Sequence, residues 1–239
     1  MAGAGGYNRA VRSGTARLRV LSMNLASGCA RLSGIAALLD ELQPDVVAAQ
    51  ELAPPQAELL ARHFQFGKLD PAYDFTGMGI ALRYPANTWR LAMPYRDAFV
   101  AEVSLPGTTQ ERDPIEIVNV HIAAPHMMPP WLTWARRRGQ LRALETHVAA
   151  TTRSRTIVGD LNATPMWPVY QRLRARLADA AVEWGRHRGT RPARTWGPGA
   201  PRLFRIDHAL VQGLRVLDVQ VRPIQDSDHS ALLVDVTPE

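Results

Sequence analysis

Apolar residues recur along this chain with two periods, and the two alternate. "LRVLSMNLA" (18–26) alternates and then runs apolar, which predicts a strand entering a core. "LSGIAALLDELQ" (32–43) places Ile35, Leu38, Leu39 and Leu42 at helical spacing, and Pro44 and Asp45 stop it. "DVVAAQE" (45–51) reads as a buried strand, and "PPQAELLARHF" (54–64) as a helix opened by proline. A strand-rich middle follows in "GMGIALRY" (77–84), "AFVAEVSL" (98–105) and "IEIVNVHI" (115–122), punctuated by Pro85, Pro106 and Gly107. Residues 129–151 predict a long helix, "TIVGDLN" (156–162) a strand and 166–177 a helix. Residues 205–212, 214–224 and 230–238 predict closing strands. Helix–strand alternation around a strand-rich middle predicts an α/β protein with two stacked sheets and helices outside.

Composition narrows the picture. Of 239 residues, 46% are hydrophobic and 21% charged, as in an ordinary globular protein, and no linker or repeat divides the chain. A flexible tail, rich in Gly and Arg, is expected at residues 1–15, with a single domain over 16–239. The net charge is +6 and the pI about 10.2, and Lys68 is the only lysine. Guanidinium groups fork two hydrogen bonds to phosphate, so an anionic substrate fits, although a GC-rich genome also writes arginine for lysine. Cys29 is the only cysteine, which excludes an intrachain disulfide and a cysteine-type zinc site. The N-terminal stretch lacks a signal-peptide core, and no apolar run has membrane-spanning length, so a cytoplasmic protein without a membrane span is expected.

The chemistry lies where polar side chains interrupt apolar strands. These are Asn24, Glu51, Asn119 with His121, Asp160 with Asn162, Asp207 with His208, and Asp228 with His229. Such groups are costly to bury unless they are paired or bind metal. In "IVGDLNA" the residues suit a turn as well as a site, and a strand would project Asp160 and Asn162 to one face. Six interruptions, each at a strand end, predict convergence. Carboxylates with an amide suit a hard cation such as Mg2+, and histidines with amides suit a phosphate oxyanion.

In this order the motifs resemble those of the endonuclease/exonuclease/phosphatase superfamily: Asn24, Gln50-Glu51, the "GIAL" strand near Gly79, Asn119-x-His121, Gly159-Asp160-Leu161-Asn162, Ile206-Asp207-His208 and Ser227-Asp228-His229. The resemblance runs from about residue 17 to 237 and implies a four-layered αββα sandwich, two mainly antiparallel sheets with the site at one end. It implies a Mg2+- or Mn2+-dependent phosphoesterase. Glu51 would be the main metal ligand, with Asn24 and Asp228 beside the cation. Asp160 would activate water, Asn162 and His229 would hold the scissile phosphate, Asp207 would orient His229, and His121 would be a second phosphate-side histidine. The sequence departs from the abasic-site endonucleases, which tend to carry Tyr where His121 stands and a second acid just after the first Asn. Leu25 and Ala26 follow Asn24 here.

Several residues carry less. His208 points away from Asp207 in a strand and reads as structural, while His126, His147 and His187 read as surface residues. Asn119 is a substrate-side candidate. Trp131, Trp134, Arg136, Arg137 and Arg138 admit two readings: an aromatic and basic rim, with Trp131 and Arg137 on substrate, or a core tryptophan with a solvated arginine face. Trp196 is expected under the floor of the site. DNA or RNA is the expected substrate. A small phosphorylated molecule, a lipid headgroup and a catalytically inactive binding protein are the alternatives.

Overall fold

The near-continuous apolar runs become strands covered on both faces. The structure, a computed structural model, describes residues 17–105 and 114–239. The expected N-terminal tail and the Pro106–Gly107 break lie outside them. The strands are β1 (Leu18–Asn24), β2 (Val46–Gln50), β3 (Phe66–Asp70), β4 (Met78–Leu82), β5 (Ala86–Leu91), β6 (Ala98–Val103), β7 (Ile115–His121), β8 (Arg155–Asp160), β9 (Ala178–Asp179), β10 (Asp207–Gln212), β11 (Leu214–Pro223) and β12 (Ser230–Pro238). The helices are α1 (Leu32–Leu42), α2 (Pro54–His63), α3 (Pro130–Ala150), α4 (Pro168–Arg174) and α5 (Ala180–Arg188).

Two six-stranded sheets form, ordered β11-β12-β1-β2-β4-β3 and β5-β6-β7-β8-β10-β9. Leu18, Val20, Ile80, Phe99, Ile117 and Val234 belong to the core between them. Ile35, Leu39 and Leu60 of α1 and α2 pack on the outer face of the first sheet. Leu141, Leu144 and Leu173 of α3 and α4 pack on the outer face of the second. This is the expected αββα sandwich.

Each sheet holds one parallel pair among antiparallel neighbours, β1 with β2 and β7 with β8. Parallel neighbours end at the same edge, so Asn24 pairs with Gln50, and His121 with Asp160. Antiparallel β10 and β12 start at that same edge, bringing Asp207 opposite Asp160 and His229 to the end of β1. The topology thus gathers six strand ends.

The differences from expectation lie at the margins. The edge strands β3 and β5 are half-exposed and mixed in polarity, and the pattern predicted neither. The short β9 and α5 were also unpredicted, and the helix expected at 166–177 spans only Pro168–Arg174. β8 ends at Asp160, and Asn162 is left-handed at φ 46°. The turn reading and the site reading of "GDLN" are therefore both realised. Gly159 has φ +139°, and a Cβ there would stand 2.0 Å from the Val120 carbonyl of the neighbouring strand, so only glycine fits.

Candidate active site

The strand ends open into a cleft of about 880 Å3. Glu51 follows β2 with φ 52°, a left-handed backbone unusual for glutamate. Its carboxylate is held by Asn24 Nδ2 (3.2 Å) and Ser27 Oγ (2.8 Å). Asn24 is fully buried; its Nδ2 also donates to Asp160 Oδ2 at 3.2 Å, and its Oδ1 accepts the Ala26 N–H at 3.0 Å.

Asp160 is the centre of the arrangement. Its Oδ1 accepts the Asn162 N–H at 2.7 Å, and its Oδ2 accepts Asn162 Nδ2 at 3.0 Å. Oδ2 also lies 3.5 Å from His121 Nε2 and 3.8 Å from His229 Nε2. Burial, with Asp207 and Glu51 nearby, pushes the Asp160 carboxyl up to about 7, against the opposing pull of His229 and the Asn162 N–H.

His229 Nδ1 lies 3.1 and 3.0 Å from the two Asp207 oxygens. Burial works against its imidazolium, but Asp207, Asp160 and Asp228 outweigh it and raise His229 to about 9. Thr195 Oγ1 accepts the N–H groups of Ile206 and Asp207, fixing the start of β10. His121 behaves oppositely: burial, reinforced by Arg96 and His229, drives it well below 6.5 despite 3.7 Å to Glu51 Oε1. We take this imidazole as neutral, because neither carboxylate contact is short enough for a hydrogen bond.

Two groups of this structure suit a cation differently. Ligand atoms of Asp160, Asp207 and His229 lie within 4.8 Å of one another, close enough for one ion. The Asp207 contact, however, favours an imidazolium, which repels a cation. On the other side, Glu51 and Asp160 converge beside a neutral imidazole and the Asn24 amide. Two carboxylates together in a partly dry site suit a hard divalent cation. Asp228 lies on the exposed rim of the same cleft, its Oδ2 accepting the Trp196 indole N–H at 2.7 Å.

Two expected roles need correction. Asn119 was a substrate-side candidate, but it is fully buried. It receives Gln50 Nε2 at 2.6 Å and donates to the carbonyls of Ala49 and Gly79 at 3.0 and 2.7 Å, clasping the two sheets together. Arg137 was expected to reach a distal phosphate, but it is 2% exposed and donates to the carbonyls of Ala123 and Asn162. Asn162, expected on the phosphate, lines the cleft, and its Nδ2 donates to Ile122 O and Asp160 Oδ2, both at 3.0 Å.

Trp131 is 75% exposed, as a rim residue would be. Trp196 lines the cleft itself, stacked on Phe204 at 6.0 Å. His208 is buried with Nε2 2.8 Å from Ala163 O, a structural histidine. His126 and His187 are exposed, whereas His147 pairs with buried Glu116 at 3.1 Å. Sequence reasoning missed Arg96. It is buried, lines the cleft, donates to His121 O at 3.1 Å and keeps a buried Nε without a partner. Its setting, "PYRDA", reads as an exposed turn, and no sequence signal marks it.

The family model described as the Endonuclease/Exonuclease/phosphatase family matches residues 18–229. The chain belongs to this family. No curated protein matches it. Solved structures share the family's fold at low identity. The endonuclease/exonuclease/phosphatase from Beutenbergia cavernae DSM 12333 is 19% identical with a TM-score of 0.70, over 94% of this chain and 72% of that one. A D. rerio TDP2 humanised by 14 mutations is 17% identical with a TM-score of 0.72, over 93% and 100%. An AP endonuclease from Archaeoglobus fulgidus is 15% identical with a TM-score of 0.72, over 91% and 98%. Family members are metal-dependent hydrolytic phosphoesterases, and this chain is one by membership. No helix among the described residues is long and apolar enough to cross a membrane.

Proposed function

We propose that the protein hydrolyses phosphodiesters of nucleic acid with a divalent cation, Mg2+ or Mn2+, beside Glu51. The observation that carries this reading is geometric: Asp160 faces the Asp207–His229 pair across one cleft, with Glu51 beside it, and these surroundings raise both Asp160 and His229 above their ordinary values. Near neutral pH this gives a carboxylate able to take a proton and an imidazolium able to stabilise anionic charge. The 3.8 Å between Asp160 Oδ2 and His229 Nε2 is too long for a direct hydrogen bond and leaves both groups free to face a reacting oxygen.

Asp160 accepts a proton from the attacking water, held in orientation by Asn24 and by both the N–H and the amide of Asn162. His229, fixed by Asp207, and Arg96 face the phosphate oxygens and stabilise charge that develops there. Neutral His121 stands beside the same oxygens as a polar contact. Glu51, with Asn24 and Asp228 beside it, would hold the cation, which would supply Lewis-acid stabilisation of charge on a phosphoryl oxygen.

Nucleic acid is favoured by the charge of +6, carried almost wholly by arginine, and by relatives named as TDP2 and as an AP endonuclease. The apolar wall of Phe75, Met127, Trp196 and Phe204 favours a second reading, a lipid headgroup or small aromatic phosphoester. The deciding experiment is a panel with Mg2+ and Mn2+: single- and double-stranded DNA, RNA, inositol phosphates, sphingomyelin and bis(p-nitrophenyl) phosphate. Cleavage of nucleic acid is expected. Release of phosphate or headgroup from the small substrates, with nucleic acid intact, would transfer the protein to the second reading. Inertness towards all of them would make it a binding protein of the same fold.

A further inference from the structure

One end of the cleft continues onto an exposed aromatic surface that the chemistry above does not use. Trp167, at the entry to α4, lines the cleft and stacks on Trp134 of α3 with centroids 5.9 Å apart and planes 17° from parallel. Trp131, one helical turn before Trp134, is 75% exposed, and Trp134 is 42% exposed. The pair is anchored. The Arg137 guanidinium lies 5.9 Å from the Trp134 ring and 5.5 Å from the Trp167 ring, and it is tied to the carbonyls of Ala123 and Asn162. The platform is therefore joined to the loop that positions Asp160. Arg138, one turn beyond Trp134, is exposed on the same helix.

Paired bases in a duplex have their faces covered by neighbours and offer only their edges, whereas unpaired bases offer open faces to an indole. A rigid indole pair costs little entropy on binding, and a nearby guanidinium suits the backbone of the same strand. We propose that Trp131, Trp134 and Trp167 form a stacking platform for unpaired bases, so that the protein takes single-stranded nucleic acid or a frayed end in preference to duplex. This inference rests on the phosphodiesterase reading of the cleft. A lipid surface is the rival occupant of exposed tryptophans. It is disfavoured because Trp134 and Trp167 lie stacked and pinned over a guanidinium and do not protrude separately.

The test measures binding with EDTA present, so that nothing is cut. Fluorescein-labelled oligothymidine, a blunt duplex of equal length and phosphatidylserine/phosphatidylcholine vesicles are titrated against the full chain. Tighter binding of the single strand is expected, with quenching of tryptophan fluorescence. Trp131→Ala and Trp134→Ala should each weaken single-strand binding on the order of fivefold to a hundredfold and leave duplex binding unchanged, while Trp134→Phe should retain most of it. If Trp134→Ala fails to fold, Trp131→Ala carries the test, because its side chain is mostly outside the packing. Equal affinity for single strand and duplex would overturn the inference. So would loss of vesicle binding in Trp131→Ala with oligonucleotide binding intact. Hydrolysis of bis(p-nitrophenyl) phosphate by the wild-type protein with Mn2+ is scored separately: its absence counts against the phosphodiesterase reading, and the binding data alone decide the platform.

Discussion

Asp207→Asn isolates the electrostatics of the site with almost no change in shape. In the wild-type protein the carboxylate lies 3.1 and 3.0 Å from His229 Nδ1, and both residues are buried. Burial alone would lower the imidazole, so its rise from 6.5 to about 9 is owed first to Asp207, with help from Asp160 and Asp228. That rise corresponds to roughly 3 kcal/mol in favour of the imidazolium. The asparagine removes the largest favourable contribution and leaves burial in place, so His229 should titrate at about 7 or below.

Activity needs Asp160 ionised and His229 protonated, so the wild-type rate should be bell-shaped, with an alkaline limb near 9 and an acid limb below the metal-free value of about 7, because a cation beside Glu51 and Asp160 favours the carboxylate. In Asp207→Asn the alkaline limb should retreat by about two pH units and the maximal rate should fall about a hundredfold. Stability provides a second readout. His229 has a folded value above its unfolded one, so its contribution is full below 6.5 and is lost as pH rises through about 9. Asp160 is also raised, so its contribution is full below 3.8 and lost through about 7. Between about pH 7.5 and 10 the His229 loss dominates, and urea unfolding should show it in the wild type and not in the variant. The assays are the pH–rate profile on bis(p-nitrophenyl) phosphate and an NMR titration of the His229 ring without added metal. A folded variant whose alkaline limb and ring titration both stay near 9 would refute this account of the dyad.

Glu51→Gln should weaken Mn2+ binding by calorimetry and lower kcat/KM by about a hundredfold or more, while EDTA should abolish wild-type activity; activity that survives exhaustive EDTA treatment contradicts the cation assignment. Asn119→Leu should cost about 2–4 kcal/mol in urea unfolding, because it removes the buried hydrogen bonds from Gln50 Nε2 and to the Ala49 and Gly79 carbonyls that join the sheets. A change in KM at unchanged stability would restore Asn119 as a substrate contact. Arg137→Met should cost roughly 3 kcal/mol in the same assay, since a buried guanidinium still charged at neutral pH is replaced opposite two carbonyls. A stable variant with only a weaker affinity for long substrates would mean that the side chain reaches solvent and substrate after all.

The sequence displayed those elements whose environment is uniform. β2, β4, β7 and β8 are buried throughout, so their runs are apolar and easily seen, and a polar residue at such a strand's end is conspicuous. That is why Glu51, His121 and Asp160 stand out from the amino-acid pattern alone. β3 and β5 are half-exposed edge strands with mixed polarity, which leaves no period to read. Arg96 was invisible for a related reason. Its guanidinium packs near Phe75 of another loop at 5.9 Å and the adjacent Tyr95 ring at 5.2 Å, and no repeat in its own segment encodes that.

Arg137 shows the sharpest form of this limit. It is the middle member of "RRR", and charge runs ordinarily face water. On a helix, successive residues turn by about 100°, so one arginine of three can face inward while its neighbours do not. The inward face of α3 is Thr133, Arg137, Gln140, Leu141, Leu144 and Val148: polar in its first half and apolar in its second. The apolar half packs on the second sheet, as a helix on a sheet should. The polar half meets the loop after β7, whose backbone has left the ladder and needs partners. Thr133 Oγ1 donates to Met127 O at 2.9 Å, Gln140 Oε1 accepts the Ala123 N–H at 3.0 Å, and Arg137 takes the carbonyls of Ala123 and Asn162. The residues that blur the helix's amphipathic pattern are thus the ones that fix the backbone around His121 and Asn162. Any reading by hydrophobic period alone discards them, because their partners are loop backbone atoms placed by the fold and not by the helix's own sequence.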